Sequence, residues 1–504
     1  MNANKNWNPD KIYDFLIIGS GMGGSSIAHA LHSSGASILM VERGDFIKQE
    51  KENWSVSELV LKKRYAADEV WLDKNGIEFK PRMYYNVGGN NKFFGGSALR
   101  LRKSDFNSDW PIDYKELSPW YKRAEELMGV RGEAGEDSTE PDDQCYSLPP
   151  VEHEETIEKL KDKLLLQGLH PFHLPVAIDS APGGRCRKGS PCDGFPCMVR
   201  AKGDAENSFL RPLLLRSDSN LTLLTNTKVE KLLLNEKNSR IEAALITKDG
   251  KSFIQKAHTI ILSAGAVNSA ALLLRSSCPS RPEGISNSSG NVGRYYMSHR
   301  NSVLLALSPF RKNPTIFQKT LAVNDFYSRG WGNIQLRGKV QKEMLQIKNK
   351  KLYKLFPGFI AKRSIDLWLM SEDRADPENR VSLQDGKIKI CLKENENPGH
   401  ESLIKAAAKM MKKAGYPLIF IDRRGIEAVQ HQCGTLRMGK TSENAVLDNW
   451  CRSFDHPNLY IVDASFFPSS AAVNPALTIA AMGLRVGDHL QNQYRKKRSQ
   501  LTNS

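Results

Sequence analysis

Two polar residues interrupt stretches that otherwise read as core. His431 stands in "VQHQCGTLRMGK" and Asn474 in "AAVNPALTIAAMG". A histidine among apolar and small residues can act as a general base, because imidazole titrates near neutrality. An asparagine amide both donates and accepts, so it can orient a polar ligand. The bland alternative is that each is a buried polar group satisfied by its neighbours. Asn474 also precedes Pro475 at the expected start of a helix, a pairing that suits an N-cap followed by the first helical residue. Such a helix start could equally stabilise negative charge on a ligand ring.

The elements that would position these residues begin with "YDFLIIGSGMGGSSIAHALHSSGASILMVERG". "DFLIIG" reads as a buried strand, "SSIAHALHSSG" as a helix ending at Gly35, and "ASILMVE" as a second strand closing on Glu42. A GxGxxG between a strand and a helix, with an acid about 20 residues on, is a dinucleotide-binding signature. Gly19 permits the tight turn, Gly21 lets the backbone approach a pyrophosphate, and Gly24 lets the helix sit close to the strands. The pyrophosphate would lie at the positive end of the helix, beside Met22. Glu42 would accept hydrogen bonds from ribose hydroxyls.

Further along, "YYNVGGNNKFFGGSALRLRKSDF" pairs its glycines as a backbone passing close to a flat ligand would. "NLTLLTNTKVEKLLLNEKNSRIEAALIT" alternates apolar and polar residues as strands do. "AHTIILSAGAVNSAALLLRSS" repeats the strand, glycine, helix order. "PWYKRAEELMGV" and "PGHESLIKAAAKMMKKAGY" read as helices, the second ended by Gly415. "LYIVDA" is a strand leading to Asn474.

The chain has 504 residues, 40% hydrophobic and 25% charged, enough for a sizeable globular core. The net charge of +16 is spread along the sequence. Its local clusters read as solvated faces, and no nucleic-acid-binding signature accompanies them. The polar start "MNANKNWNPDK" lacks a signal peptide's apolar core, and "TIILSAGAVNSAALLL" is too short and polar for a membrane span. A cytoplasmic protein with no membrane span is expected. Eight cysteines are too sparse for a disulfide scaffold. Cys186, Cys192 and Cys197 cluster, and their spacing leaves loop packing, a disulfide and a metal site all open, with packing favoured and no metal expected.

These motifs, in this order, resemble the glucose–methanol–choline (GMC) oxidoreductases, flavoproteins that oxidise alcohols. The likeness spans the chain, including "SEDRADPENRVSL" and "HQCGTLRMG...LYIVDASFFPSSAAVNPALT". It implies an α/β fold with a Rossmann-type FAD-binding domain assembled from residues 1–110, 200–300 and 431–504. A substrate domain with an antiparallel sheet flanked by helices would use 111–199 and 301–430. It makes His431 the base that takes the hydroxyl proton while hydride passes from the carbinol carbon to flavin N5, and Asn474 the group that orients the alcohol oxygen. It places Gly19, Gly21, Met22, Gly24 and Glu42 on the pyrophosphate and ribose of FAD. Gly95, Gly96 and Ser97 fall at the flavin, Val229 at the adenine, Asp463 and Ala464 at the ribityl chain, and Pro475 at the flavin ring.

Some family members link FAD through a histidine near the loop "GGSALRLRK"; this loop has none, which implies non-covalent FAD. Leu101 stands where glucose-oxidase-like members carry asparagine. The loop is more similar to a bacterial branch of sugar and aminosugar oxidoreductases. The implied substrate is a small sugar-, aminosugar- or polyol-like alcohol, one case being the 6'-hydroxyl of an aminoglycoside precursor such as paromamine. Electrons would pass to O2 or another acceptor. Two other readings remain: a hydroxynitrile lyase, which keeps FAD on the same scaffold without redox, and a non-enzymatic basic binding protein, against which the intact His431 and Asn474 argue.

Overall fold

The computed structural model describes residues 7–189, 191–348, 351–393, 397–426 and 431–502. The first six residues, residue 190 of the cysteine-rich loop, and residues 429 and 430 of the histidine stretch lie outside the described residues.

Strands β1 (Tyr13–Ile18), β2 (Ile38–Val41), β3 (Leu221–Leu224), β4 (Thr227–Leu234), β5 (Ile241–Lys248), β6 (Lys251–Leu262) and β7 (Leu459–Ile461) form one sheet. Its parallel part runs β3, β2, β1, β6, β7. β1 and β2 are almost wholly buried, which explains their unbroken apolar runs. β6 has two halves. Its first half pairs antiparallel with β5, from Lys248 opposite Lys251 to Ala243 opposite Lys256. Its second half pairs parallel with β1, ending at Ile18 opposite Leu262. Its burial changes accordingly, from half-exposed to fully buried.

Helix α1 (Met22–Leu31) leaves the end of β1, α2 (Ala266–Arg275) the end of β6, and the long α3 (Ala476–Thr502) follows β7. α1 and α3 touch closely. A Cβ on Gly483 would come within 2.0 Å of Ser26 Oγ, and one on Gly487 within 2.6 Å of Ala30 Cβ. The helix Tyr114–Met128 also docks on α3, where Tyr121 Oη and Thr478 Oγ1 are 2.8 Å apart.

The second large sheet is antiparallel throughout, in the order 418–423, 300–307, 364–371, 333–336, 321–323, 171–173. Alternation divides its faces. Leu304, Ala306, Ile334, Leu336, Leu367 and Leu369 turn to a core shared with the helices Glu155–Leu165 and Pro398–Lys413. The opposite face carries Asn301, Val303, Gln335, Trp368 and Met370 and lines a large cavity between the two sheets. Short helices over 342–361 cover part of this face around Leu305, Val340 and Tyr353. Among the described residues no helix is long and apolar enough to cross a membrane.

Candidate active site

The cavity holds about 900 Å³, near the upper end of ordinary ligand pockets, roughly 300–1,000 Å³. One end of it is the turn from β1 to α1. Gly19 has φ +98°, and a Cβ there would lie 2.4 Å from the Ser263 carbonyl oxygen. A Cβ on Gly24 would lie 2.1 Å from Gly19 O and 3.1 Å from the Ile17 side chain. Gly21 differs from both: nothing stands within 4 Å of a Cβ built on it. Gly21 is also the N-cap of α1, with no side chain capping it. The first N–H groups of this helix therefore open on the cavity, as a bound pyrophosphate requires.

Glu42 ends β2 at this mouth. Its Oε2 accepts from Ser20 N–H at 3.0 Å and Ser20 Oγ–H at 2.6 Å, and its Oε1 from Gly44 N–H at 3.0 Å. Burial pushes its carboxyl up, against the pull of those hydrogen bonds. Asn268, at the start of α2, has a buried Nδ2 without a hydrogen-bond partner and also lines the cavity. An orphaned donor beside an open helix N-terminus fits a phosphate-containing nucleotide.

The other end holds the polar residues singled out in the sequence. A two-stranded ribbon pairs Met297 with Cys433 and Ser298 with Gln432. Its register brings the next residues, His299 and His431, together, with their Nδ1 atoms 2.9 Å apart. His431 has φ +56°, a left-handed conformation that turns its side chain off the ribbon. His299 Nε2 lies 2.9 Å from the Ser470 carbonyl oxygen. A carbonyl can only accept, so Nε2 of His299 carries the proton and its Nδ1 is an acceptor. His431 must then donate from Nδ1. Its Nε2 is left unprotonated, and no described residue engages it. Burial is the main reason both imidazoles lie below the ordinary value. His431 is lowered further by His299 and Lys319, while for His299 the Ser470 carbonyl and Asp373 oppose the effect. Both are neutral near pH 7.

Asn474 faces the same cavity. The expected N-cap is corrected here: α3 starts at Ala476, and Ile479 N–H donates to Pro475 O, so Pro475 holds the cap position. The Asn474 side chain is engaged across the cavity instead. Gln335 Nε2 donates to Asn474 Oδ1 at 3.0 Å, and Ser97 Oγ donates to Gln335 Oε1 at 2.8 Å. Ser97 thereby fixes which end of the Gln335 amide donates, and Gln335 fixes Asn474. The Asn474 Nδ2 donor is left for a ligand.

The loop 88–97 is held by buried ions. Lys92 Nζ meets Asp204 at 3.0 Å and Glu206 at 2.8 Å. Lys202 Nζ donates to the carbonyls of Phe94 at 2.7 Å, and of Cys192 and Phe195 at 2.8 Å. Cys186, Cys192 and Cys197 are free thiols, and Lys202 ties the loop that carries Cys192 to Phe94 of the loop 88–97. The Cys192 loop also delivers Asp193 to the cavity, where a Cβ on Gly95 would come within 1.5 Å of its Oδ1.

Gly19, Gly21, Met22, Glu42, Gly95, Ser97, Val229, His431, Asp463, Ala464, Asn474 and Pro475 all line the one cavity. Gly24 and Gly96 do not. Gly24 sits under α1, and Gly96, at φ +89°, has Ile178 2.8 Å from its Cβ position. The Asp463 carboxylate is taken up by its own chain, accepting from Gly265 N–H, Ser269 Oγ–H, Ser465 N–H and Ser465 Oγ–H. It therefore shapes the wall and leaves its backbone to meet a ligand. Sequence reasoning missed His299, Gln335, Lys319 and Arg337. The one local sign was a histidine directly before the alternating stretch "RNSVLLAL".

Residues 87–300 and 377–483 match the two models of the GMC oxidoreductase family. The chain is similar to paromamine 6'-oxidase of Streptomyces fradiae, 28% identical over 94% of this chain and 91% of that protein. It is also similar to 2-methyl-1,2-propanediol dehydrogenase of Mycolicibacterium austroafricanum, 25% identical over 95% of each. Among solved structures, formate oxidase of Aspergillus oryzae superposes with a TM-score of 0.70 at 13% identity, over 97% of this chain and 99% of that one. Pyridoxine 4-oxidase from Mesorbium loti gives 0.66 at 18%, over 95% and 99%.

Proposed function

The chain belongs to the GMC oxidoreductase family and is an FAD-dependent oxidoreductase of alcohol groups, and from that premise we propose that His431 is its general base and Asn474 its orienting donor. The observation that carries this is the order of donors and acceptors from Ser470 O through His299 to His431, which leaves a lone pair on His431 Nε2. That nitrogen takes the hydroxyl proton of the alcohol. Asn474 Nδ2 donates to the alcohol oxygen and holds it there. FAD, when bound, would supply the redox chemistry as the acceptor of the carbinol hydride. Burial keeps His431 unprotonated at neutral pH, so its Nε2 lone pair is available to accept a proton.

The cofactor's pyrophosphate is assigned to Gly21, Met22 and the start of α1, its ribose to Glu42 and its adenine to Val229. The flavin is assigned to Gly95, Ser97, Ala464 and Pro475. The bond to FAD is taken as non-covalent, because the loop 84–106 contains no histidine. The substrate is a sugar-, aminosugar- or polyol-like alcohol, a reading supported by the likeness to paromamine 6'-oxidase. The test is His431→Ala in FAD-loaded protein. Anaerobic flavin bleaching by an alcohol should slow about 100-fold or more, with the flavin spectrum retained. Bleaching at the wild-type rate would remove His431 from the role.

A further inference from the structure

Sheet register places Gln335, Trp368, Val303 and Asp422 in one row across the cavity face. Gln335 is bonded to Asn474, so this row runs outward from the reaction centre. Arg337 follows Gln335 by two positions and so shares its face. Its guanidinium lies 4.7 Å from the Trp368 ring centre, and that of Arg424 lies 5.2 Å from the same ring.

Arg337 is 8% exposed, lines the cavity, and has a buried Nε without a hydrogen-bond partner. Buried charges ordinarily find partners. Among the described residues no nearby carboxylate makes an ion-pair contact with Arg337. Asp193 Oδ1 accepts from Lys319 Nζ and its Oδ2 from Gly338 N–H, both at 2.8 Å. Burial would raise the Asp193 carboxyl, yet Lys319 and Arg337 hold it at about 2. Asp422 pairs with Lys348 at 2.6 Å. Asp366, on the neighbouring strand, accepts through Oδ2 from Val340 N–H at 2.9 Å and Gln318 Nε2 at 3.1 Å; its buried Oδ1 has no hydrogen-bond partner, and the residue does not line the cavity. Lys319 and Lys348 each contact a carboxylate, whereas Arg337 acts on Asp193 only through space and faces the cavity with no ion-pair contact or side-chain hydrogen bond among the described residues.

We infer that the alcohol oxidised here carries an oxyanion, a carboxylate or a phosphate ester, which the Arg337 guanidinium binds while Asn474 and His431 hold the hydroxyl. The inference rests on the alcohol-oxidation reading above and narrows its substrate class to sugar acids or sugar phosphates. A planar fork of N–H donors matches either oxyanion. A substrate bearing several ammonium groups has the wrong sign for this wall, which sets the aminosugar alternative aside.

The test uses FAD-loaded protein with D-gluconate, D-glucose 6-phosphate, D-glucose and D-glucosamine. Binding is read by perturbation of the flavin absorbance, and turnover by anaerobic bleaching. At least one anion should bind about 10-fold or more tightly than the neutral and cationic sugars. Which anion does so separates carboxylate from phosphate. Arg337→Met should erase that preference, and Arg337→Lys should restore part of it. The inference is overturned if glucose or glucosamine equals the anions, if neither anion binds, or if Arg337→Met leaves the ratio intact. Anion-selective binding that Arg337→Met abolishes, without bleaching by any of the sugars, would leave Arg337 as an anion site and overturn its assignment to an oxidised alcohol.

Discussion

Replacing His299 tests the histidine pair at its weakest joint. In His299→Leu the Nδ1–H of His431 loses its acceptor, now 2.9 Å away. A buried donor without a partner costs about 1–3 kcal/mol. His431 escapes that cost by moving its proton to Nε2, and so ceases to be a base. The fraction of molecules with a free Nε2 lone pair should fall roughly 5- to 150-fold. In His299→Asn the geometry can be rebuilt. The amide oxygen accepts from His431 and the amide NH2 donates to Ser470 O, so most of the rate should return. The assay is anaerobic stopped-flow bleaching of the flavin at saturating alcohol, with substrate affinity measured alongside. The leucine variant should lose rate with little change in affinity. Two results would refute the reasoning: a leucine variant as fast as wild type, or leucine and asparagine variants that are equally slow. The second would assign His299 to packing alone.

Other expectations follow from the same geometry. Gly21→Ala should fold normally but bind FAD weakly, because its Cβ meets only the cavity, whereas Gly24→Ala, with a carbonyl 2.1 Å from the Cβ position, should lose stability; thermal melts and flavin titration separate the two. Lys92→Met strands the buried Asp204, while Glu206 keeps its pair with Arg211, and should cost about 3–5 kcal/mol in urea unfolding; an unchanged midpoint would contradict the buried Lys92–Asp204 pair. Burial lowers His400 to about 4, while the unfolded chain protonates near 6.5. Its contribution of roughly 3 kcal/mol should therefore be present above pH 6.5 and be lost as pH falls to 4. Unfolding of wild type and His400→Gln at pH 7.5, 5.5 and 4 should show a larger loss in wild type, the difference isolating His400 because His153, His299, His431 and the oppositely acting Glu372, raised to about 7, titrate in both.

The nucleotide end of the site was legible because it is local. The turn, its glycines and Glu42 lie within one β1–α1–β2 unit, where residue period and glycine conformation dictate the path. His431 and Asn474 stood out by type, and the resemblance supplied their roles. Their partners could not be read in the same way. His299 is 132 residues from His431, and Gln335 is 139 from Asn474. Asn474 shows why local reasoning failed: its place before a proline and a helix favoured an N-cap, but a tertiary partner claimed its amide. Arg337 is one of many arginines in the sequence, and only sheet register puts it beside Gln335, where it has no ion-pair contact among the described residues. The sequence alone determined the main elements and the glycine turn after β1, and marked His431 and Asn474 by type, because these depend on neighbours a few residues apart. Tertiary structure decided which nitrogen is the base, which way the amide points and which charge is left over, because those depend on hydrogen-bond partners that meet only when distant strands align.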